Sequence, residues 1–263
     1  MKTDTIEKQI TAMLRELHLP GMREAFAERA ESALQEKIGY REYLKELLEY
    51  ECCLRRKKSM ERRLRESHLP LEKTFDTFEM NRLSQKLKHQ VSVLREGNFV
   101  ERRENVLAFG LPGSGKSHLL CALCNALIQE GRNGYFTGCS QLVQELLRAK
   151  KELRMDKYLK KLARYDVLMV DDIGYVQQSR EEMEVLFTLL AARYERGSVM
   201  ITSNLPFSKW EAIFKDPMTT AAAIDRLVHH SVILELNLNS YRMEQAKKRV
   251  TQPSKNILNN GQE

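Results

Sequence analysis

The chain has 263 residues, of which 42% are hydrophobic and 30% are charged, a balance typical of globular proteins. No apolar run approaches the ~20 residues of a membrane span, and the N-terminal sequence "MKTDTIEKQI" has no apolar signal core. We therefore expect a cytoplasmic protein without a membrane partner. The formal net charge of +7 favours a polyanionic partner.

The first 70 or so residues are predicted to form a small all-helical domain (1–70). Apolar residues recur at helical spacing from Ile6 to Leu17 and from Met22 to Ala33, with the helix-breaking "HLPG" at 18–21 between them. A third helix begins near Tyr43 and continues as a basic helix to about residue 70.

The basic part of this third helix, residues 55–65, has seven cations and one acid, Glu61. Such a segment is a candidate contact for a polyanionic partner such as DNA, through Arg55, Arg56, Lys57, Lys58, Arg62, Arg63 and Arg65. Two other interpretations stay open: a solvated helix face, or N-terminal helices that dock a protein partner.

Residues 71–104 are predicted to be a connector with one amphipathic helix, which carries Leu83, Leu87, Val91 and Leu94. Short apolar strands then alternate with helices, which indicates a parallel, doubly wound α/β sheet in a domain spanning 105–250. Ser140 is the expected N-cap of the helix over 140–150. Residues 251–263 are predicted to be a disordered tail. The predicted strands cover 105–110, 134–138, 166–172, 198–204 and 231–236.

The sequence "GLPGSGKS" at 110–117 follows a predicted strand and opens a helix, the context of a G-x-x-x-x-G-K-S phosphate-binding loop. Its glycines allow backbone N–H groups to point at phosphate oxygens, and the helix N-terminus adds positive charge. Lys116 can reach the β- and γ-phosphates, and the Ser117 hydroxyl can bind Mg²⁺. The predicted nucleotide-binding residues are Gly110, Leu111, Pro112, Gly113, Ser114, Gly115, Lys116, Ser117 and His118.

Two adjacent carboxylates follow the apolar strand in "VLMVDDIG" at 167–174. Because the carboxyl ends of parallel strands converge on one crevice, this strand delivers Asp171 and Asp172 to the same edge as the phosphate loop. Asp171 is predicted to hold Mg²⁺, directly or through its water. Asp172 is predicted to orient and deprotonate an attacking water, with an N-cap or turn as the alternative.

Three further residues are candidates for the reaction with a triphosphate. Asn204 ends the strand "SVMITSN" and can hold the attacking water against the γ-phosphate, or can simply form a turn. Arg226 and Arg242 flank the last strand and can bring positive charge to the γ-phosphate. One would act within the subunit and the other across an interface.

Together these motifs resemble the AAA+ superfamily, and more narrowly the IstB transposition helper proteins of bacterial insertion sequences and the related DnaC helicase loaders. The resemblance covers about residues 10–250. It is carried by "LHLPGMREAF" (17–26), the long basic helix (43–70), the approach to the phosphate loop (97–119), "YDVLMVDDIGY" (165–175) and "VMITSNLPFSKW" (199–210).

The resemblance implies an ATP-dependent DNA-binding ATPase that assembles into a homo-oligomer through ATP-bridged interfaces and assists a partner transposase. It places Arg226 at the arginine finger and Arg242 at the sensor 2 position. The chain departs from most AAA+ ATPases in having Asp172 where they have Glu, which predicts slow hydrolysis that DNA or a partner stimulates. A C-terminal helical lid is also missing from the sequence pattern.

Two other functions stay open. A DnaC-like replicative helicase loader has the same ATPase core and a helicase as its partner. A P-loop phosphotransferase, from a different class, would transfer phosphate to an acceptor and needs no DNA.

Overall fold

The computed structural model describes residues 2–174, 179–206, 209–210, 224–225, 227–241 and 243–244. The predicted Arg226, Arg242 and tail (251–263) lie outside these ranges. The chain forms two compact units, Met1–Arg63 and Leu64–Glu263. Within the described ranges, no helix has both the length and the apolar character needed to cross a bilayer.

The first unit consists of α1 (Lys2–Glu16), α2 (Pro20–Glu36) and most of α3 (Tyr40–Glu66). Pro20 occupies the first turn of α2. A backbone N–H at this position would have no acceptor within the helix, so proline, which lacks one, is tolerated there. A small apolar core joins the three helices and contains Leu14, Met22, Ala25, Phe26 and Leu47. The predicted helical character of this region is therefore confirmed.

A buried carboxylate of α3, Glu51, caps the N-terminus of α2. Its Oε2 accepts hydrogen bonds from the backbone N–H groups of Gly21 (2.6 Å) and Met22 (3.0 Å). Arg55 donates from Nε to Glu51 Oε1 at 2.6 Å and from Nη2 to the carbonyl of His18 at 2.7 Å. Burial alone would raise the pKa of Glu51, but the hydrogen bonds from Arg55 and the two amides lower it overall.

Glu51→Ala is expected to destabilise the first unit by roughly 2 kcal/mol or more, because it leaves buried amide donors of α2 without an acceptor. Folding lowers the pKa of Glu51 from its ordinary value of 4.5. The ionised carboxylate therefore stabilises the first unit fully at pH values above 4.5, and this stabilisation is lost as the pH falls below 4.5. Amide hydrogen exchange of residues 20–60 in the full chain measures this. The control is Glu49→Ala, an exposed acid on the same helix. Equal protection in both variants would contradict the capping role.

The second unit contains the parallel sheet and its helices. Its helices are α4 (Gln85–Arg95), α5 (Asn98–Glu101), α6 (Lys116–Gln129), α7 (Cys139–Lys151), α8 (Met155–Leu162) and α9 (Arg180–Arg193), with a short 3-10 helix at Met80–Arg82. Its strands are β1 (Asn105–Gly110), β2 (Gly134–Gly138), β3 (Val167–Ile173), β4 (Ser198–Ser203) and β5 (Ser231–Leu236).

The strands lie in the order β2-β3-β4-β1-β5, and every pair is parallel. Apolar side chains alternate between the two faces, as strand geometry requires. On one face Leu107, Leu168 and Ile201 pack with α7 and α9. On the other face Val106 and Met169 pack with α4 and α6. The predicted parallel sheet covered on both faces is confirmed.

The amphipathic helix predicted between 71 and 104 is α4, whose Leu87, Val91 and Leu94 are buried against the sheet-and-α6 core. Ser140 was expected as an N-cap, and this prediction is wrong. Helix α7 begins at Cys139 with Gly138 in the N-cap position, so Ser140 lies inside the first turn. Helix α8, a short helix with three lysines among its eight residues, was not predicted.

Candidate functional site

The phosphate loop joins the carboxyl end of β1 to the N-terminus of α6. Gly113 and Gly115 have φ of 80° and 98°, left-handed values that glycine adopts without strain. A Cβ on Gly113 would also overlap the Ser240 hydroxyl. These two glycines therefore allow the close backbone turn that brings N–H groups to the start of α6.

Lys116 is only 6% exposed, and its Nζ lies at the centre of the loop. It donates to the carbonyl oxygens of Gly110 (2.8 Å) and Leu111 (2.9 Å). It also donates to Oδ1 of Asn204, the residue directly after the neighbouring strand β4, at 2.6 Å. The lysine ammonium thus connects the phosphate loop to the end of β4.

Asn204 continues this contact to the acidic strand. Its Nδ2 donates to Asp172 Oδ1 at 2.9 Å, so Lys116, Asn204 and Asp172 form one hydrogen-bonded row. Burial raises the pKa of Asp172, the neighbouring Asp171 raises it further, and Lys116 opposes both. The sheet order explains the row, because β4 lies between β1 and β3.

An open cavity of about 510 Å³ lies over this row, a volume within the usual range for small-molecule sites. Its floor is the phosphate loop together with Asp171, Asp172 and Asn204. One wall comes from residues 73–82, and another from the segment after β5. The wall residues are Lys73, Thr77, Phe78, Glu79, Arg82, Leu238 and Tyr241.

The first wall is attached to α6 through His118. The His118 Nε2 atom lies 3.1 Å from Thr77 Oγ1 and 3.1 Å from the carbonyl oxygen of Thr74. The Phe78 ring packs edge-on against the imidazole, with ring centroids 5.2 Å apart. Burial lowers the pKa of His118, which favours the neutral ring.

Arg82 connects this wall to the segment after β5. Its guanidinium donates to the carbonyl oxygen of Asn239 at 2.8 Å and pairs with Glu244 at 3.1 Å. It also lies over the Tyr241 ring, 5.1 Å from the centroid. No sequence motif marks these wall residues, so none of them was predicted to belong to the site.

The structure brings most of the predicted site residues together. Six of the nine loop residues line the cavity: Pro112, Gly113, Gly115, Lys116, Ser117 and His118. Gly110 and Leu111 instead give carbonyl oxygens to Lys116. Ser114 is buried, and its hydroxyl has no hydrogen-bond partner among the described residues.

The predicted DNA-contact residues all lie on α3. Arg55 is engaged with Glu51 and His18, whereas most of the others are exposed. The structure also shows a second basic region, which the sequence analysis missed. A groove of about 890 Å³ lies between α7 and α8. Its charged lining comprises six cations and three acids: Arg148, Arg154, Lys157, Lys160, Lys161 and Arg164, with Glu145, Glu152 and Asp156.

Comparison with known proteins identifies the family. The family model of the IstB-like ATP binding proteins matches residues 12–249. The chain belongs to this family. An insertion sequence ATP-binding protein of Sinorhizobium fredii is 41% identical over 241 residues, which cover 91% of this chain and 81% of that protein. The corresponding protein of insertion sequence IS21 of Pseudomonas aeruginosa is 37% identical over 221 residues, covering 83% of this chain and 82% of that protein.

The fold of this IstB-like chain is that of the AAA+ proteins. The crystal structure of the DnaC helicase loader matches with a TM-score of 0.54 and 20% identity, covering 62% of this chain and 96% of that chain. At this identity the similarity concerns the fold alone. The predicted AAA+ fold and the predicted family are both confirmed.

Proposed function

We propose that this IstB-like protein is a Mg²⁺-dependent ATPase that oligomerises on double-stranded DNA and assists a partner transposase in insertion-sequence transposition. The row of Lys116, Asn204 and Asp172 beneath one cavity carries the ATPase part of the proposal. ATP as the nucleotide is supported by the family to which the chain belongs. The transposase partner is supported by relatives that are insertion sequence proteins.

Each residue of the row has a chemical task in this proposal. Lys116 neutralises charge on the β- and γ-phosphates as a point charge. Asn204 orients the attacking water, and Asp172 accepts its proton, helped by a raised pKa that makes the carboxylate a stronger base. The triphosphate would displace Lys116 from some of its present acceptors.

The residues at this site fit a magnesium ion. The Ser117 hydroxyl and the Asp171 carboxylate are hard oxygen donors that line the same cavity. Mg²⁺ commonly binds one or two protein oxygens together with phosphate oxygens and water. When bound, the ion would neutralise negative charge that develops on the phosphates.

Oligomerisation through ATP-bridged interfaces follows from the roles proposed for two arginines. Arg226 would complete the site of a neighbouring subunit as an arginine finger, and Arg242 would contact the γ-phosphate as a sensor. Both lie outside the described residues, so these roles depend on the family resemblance.

Two basic surfaces support DNA binding through phosphates. One is the exposed basic part of α3 described above. The other is α8 with its flanking residues, where residues 148–164 carry eight cations and two acids. Lys157, Lys160 and Arg164 are exposed, lie on one face of the α8 segment, and form no ion pair with a described residue.

Removing cations from either surface is expected to weaken DNA binding at all sequences, because phosphate contacts carry no sequence information. The combined variant Lys157→Gln, Lys160→Gln and Arg164→Gln tests α8, and Arg56→Gln, Lys57→Gln and Lys58→Gln tests α3. For each lost phosphate contact, the slope of log affinity against log salt should fall by about 0.9. Lys86→Gln, an exposed lysine elsewhere, is the control. A surface whose variant keeps the parent slope is not a DNA contact.

The alternative functions make different predictions. A replicative helicase loader would have the fold of the solved loader, and would capture a helicase rather than a transposase in a pull-down. A P-loop phosphotransferase would transfer phosphate to an added acceptor in buffer without DNA.

The experiment that tests the proposal measures phosphate release with and without duplex DNA, alongside sedimentation in ATP, in ADP and without nucleotide. We expect slow release that rises with DNA, and larger assemblies with ATP than with ADP. Phosphate transfer to an acceptor would refute the proposed function. So would phosphate release that is the same with and without DNA, together with assemblies of the same size in every nucleotide state.

A further inference from the structure

The two carboxylates of β3 lie side by side because the strand contains a bulge. Val170 pairs with Ile201 and Ile173 pairs with Ser203, so two residues of β3 stand opposite the single residue between them on β4. Consecutive side chains of a regular strand point to opposite faces. Here Asp171 and Asp172 both line the phosphate cavity, and the bulge provides the change of direction.

The bulge requires an unusual backbone conformation. Asp172 has a φ of 63°, in the left-handed region that few residues other than glycine adopt. Such a conformation persists only where surrounding contacts favour it. The regular ladder between β3 and β4 is interrupted at this point, so a side chain must supply contacts in its place.

Thr202, the residue opposite the bulge, supplies these contacts with one hydroxyl group. Its Oγ1 accepts a hydrogen bond from the backbone N–H of Asp172 at 2.7 Å. The same Oγ1 donates to Asp171 Oδ1 at 2.5 Å. Thr202 is 1% exposed and is not among the residues that line the cavity, so it acts only through the two aspartates.

We propose that Thr202 is a positioning residue of this site: its hydroxyl holds Asp172 in the left-handed conformation and fixes the orientation of the Asp171 carboxylate. The consequence for catalysis depends on the ATPase function proposed above. With the hydroxyl in place, Thr202 engages Oδ1 of Asp171, and the Mg²⁺-binding role proposed for this carboxylate would fall to Oδ2. Asp172 is held where its carboxylate reaches Asn204.

The alternative is a purely structural role for Thr202, in which its methyl group and hydroxyl only fill space in the sheet. Two substitutions separate the roles. Thr202→Val keeps the shape and removes the hydroxyl, whereas Thr202→Ser keeps the hydroxyl and removes the methyl group. A packing residue should tolerate valine better than serine, and a positioning residue should do the reverse.

The test measures ATP hydrolysis, thermal stability and crystal structures of both variants in the full chain. We expect Thr202→Val to lower kcat by about 10- to 100-fold with little change in the KM for ATP. Its crystal structure should show Asp172 outside the left-handed region and separated from Asn204. Thr202→Ser should recover most of the parent kcat and the parent backbone.

A Thr202→Val protein with unchanged kcat and an unchanged Asp172 backbone would overturn the inference, as would a serine variant no better than valine. The crystal structures keep this test separate from the proposed function. If the parent protein hydrolyses no ATP, the ATPase proposal fails. The position of Asp172 in the valine variant then still decides whether Thr202 holds it.

Discussion

Lys116→Ala is expected to weaken ATP binding by about 100-fold or more, because it removes the ammonium that pairs with the β- and γ-phosphates. The Lys116 side chain lines the cavity. Its ammonium makes three hydrogen bonds there, two to loop carbonyl oxygens and one to Asn204. Alanine also leaves those acceptors without their donor, so some loss of thermal stability should accompany the loss of affinity.

A titration with a fluorescent ATP analogue, read beside thermal unfolding, measures both effects of Lys116→Ala. Lys86→Ala is the control, since Lys86 is an exposed lysine of α4 that does not line the cavity. If Lys116→Ala binds ATP with the parent affinity and remains folded, the assignment of the phosphate loop is wrong.

Asp172→Asn is expected to lower kcat by about 100-fold or more while ATP remains bound, because the amide cannot accept a proton from water. Asparagine is the conservative test for a geometric reason. It tolerates the left-handed φ of 63° better than most residues, and its Oδ1 can still accept the hydrogen bond from Asn204. The variant therefore keeps the structure and removes only the base.

Single-turnover hydrolysis, ATP affinity and sedimentation on DNA together test the Asp172 variant. With hydrolysis blocked, the ATP-bound, DNA-bound assembly should accumulate. Asp76→Asn is the control, because Asp76 is exposed and does not line the cavity. Hydrolysis at the parent rate in Asp172→Asn would show that Asp172 is not the base.

The fold could be predicted from the sequence where the signal is local. Strands β1 and β3 each contain four consecutive apolar residues, and the amphipathic α4 has a clear helical period. Helix α8 was missed because it has eight residues, about the shortest length at which a helical period is visible. The N-cap of α7 was misplaced because backbone geometry at Gly138, not a side-chain cap, begins that helix.

The candidate site could also be predicted only in part from the sequence. The phosphate loop and the two aspartates are recognisable because their residue types follow each other in sequence. The roles of Thr202 and Arg82 could not be predicted, because they depend on the β3–β4 register and on contacts across more than 150 positions of sequence. The left-handed conformation of Asp172 likewise arises from pairing between strands, which no local pattern records.

The central claim, that a triphosphate binds between the phosphate loop and the acidic end of β3, is tested most directly by a structure with a non-hydrolysable ATP analogue and Mg²⁺. The predicted result has the β- and γ-phosphates at Lys116 and the ion between Ser117 and Asp171. Nucleotide bound at any other place, or an ion that contacts neither Ser117 nor Asp171, would contradict it.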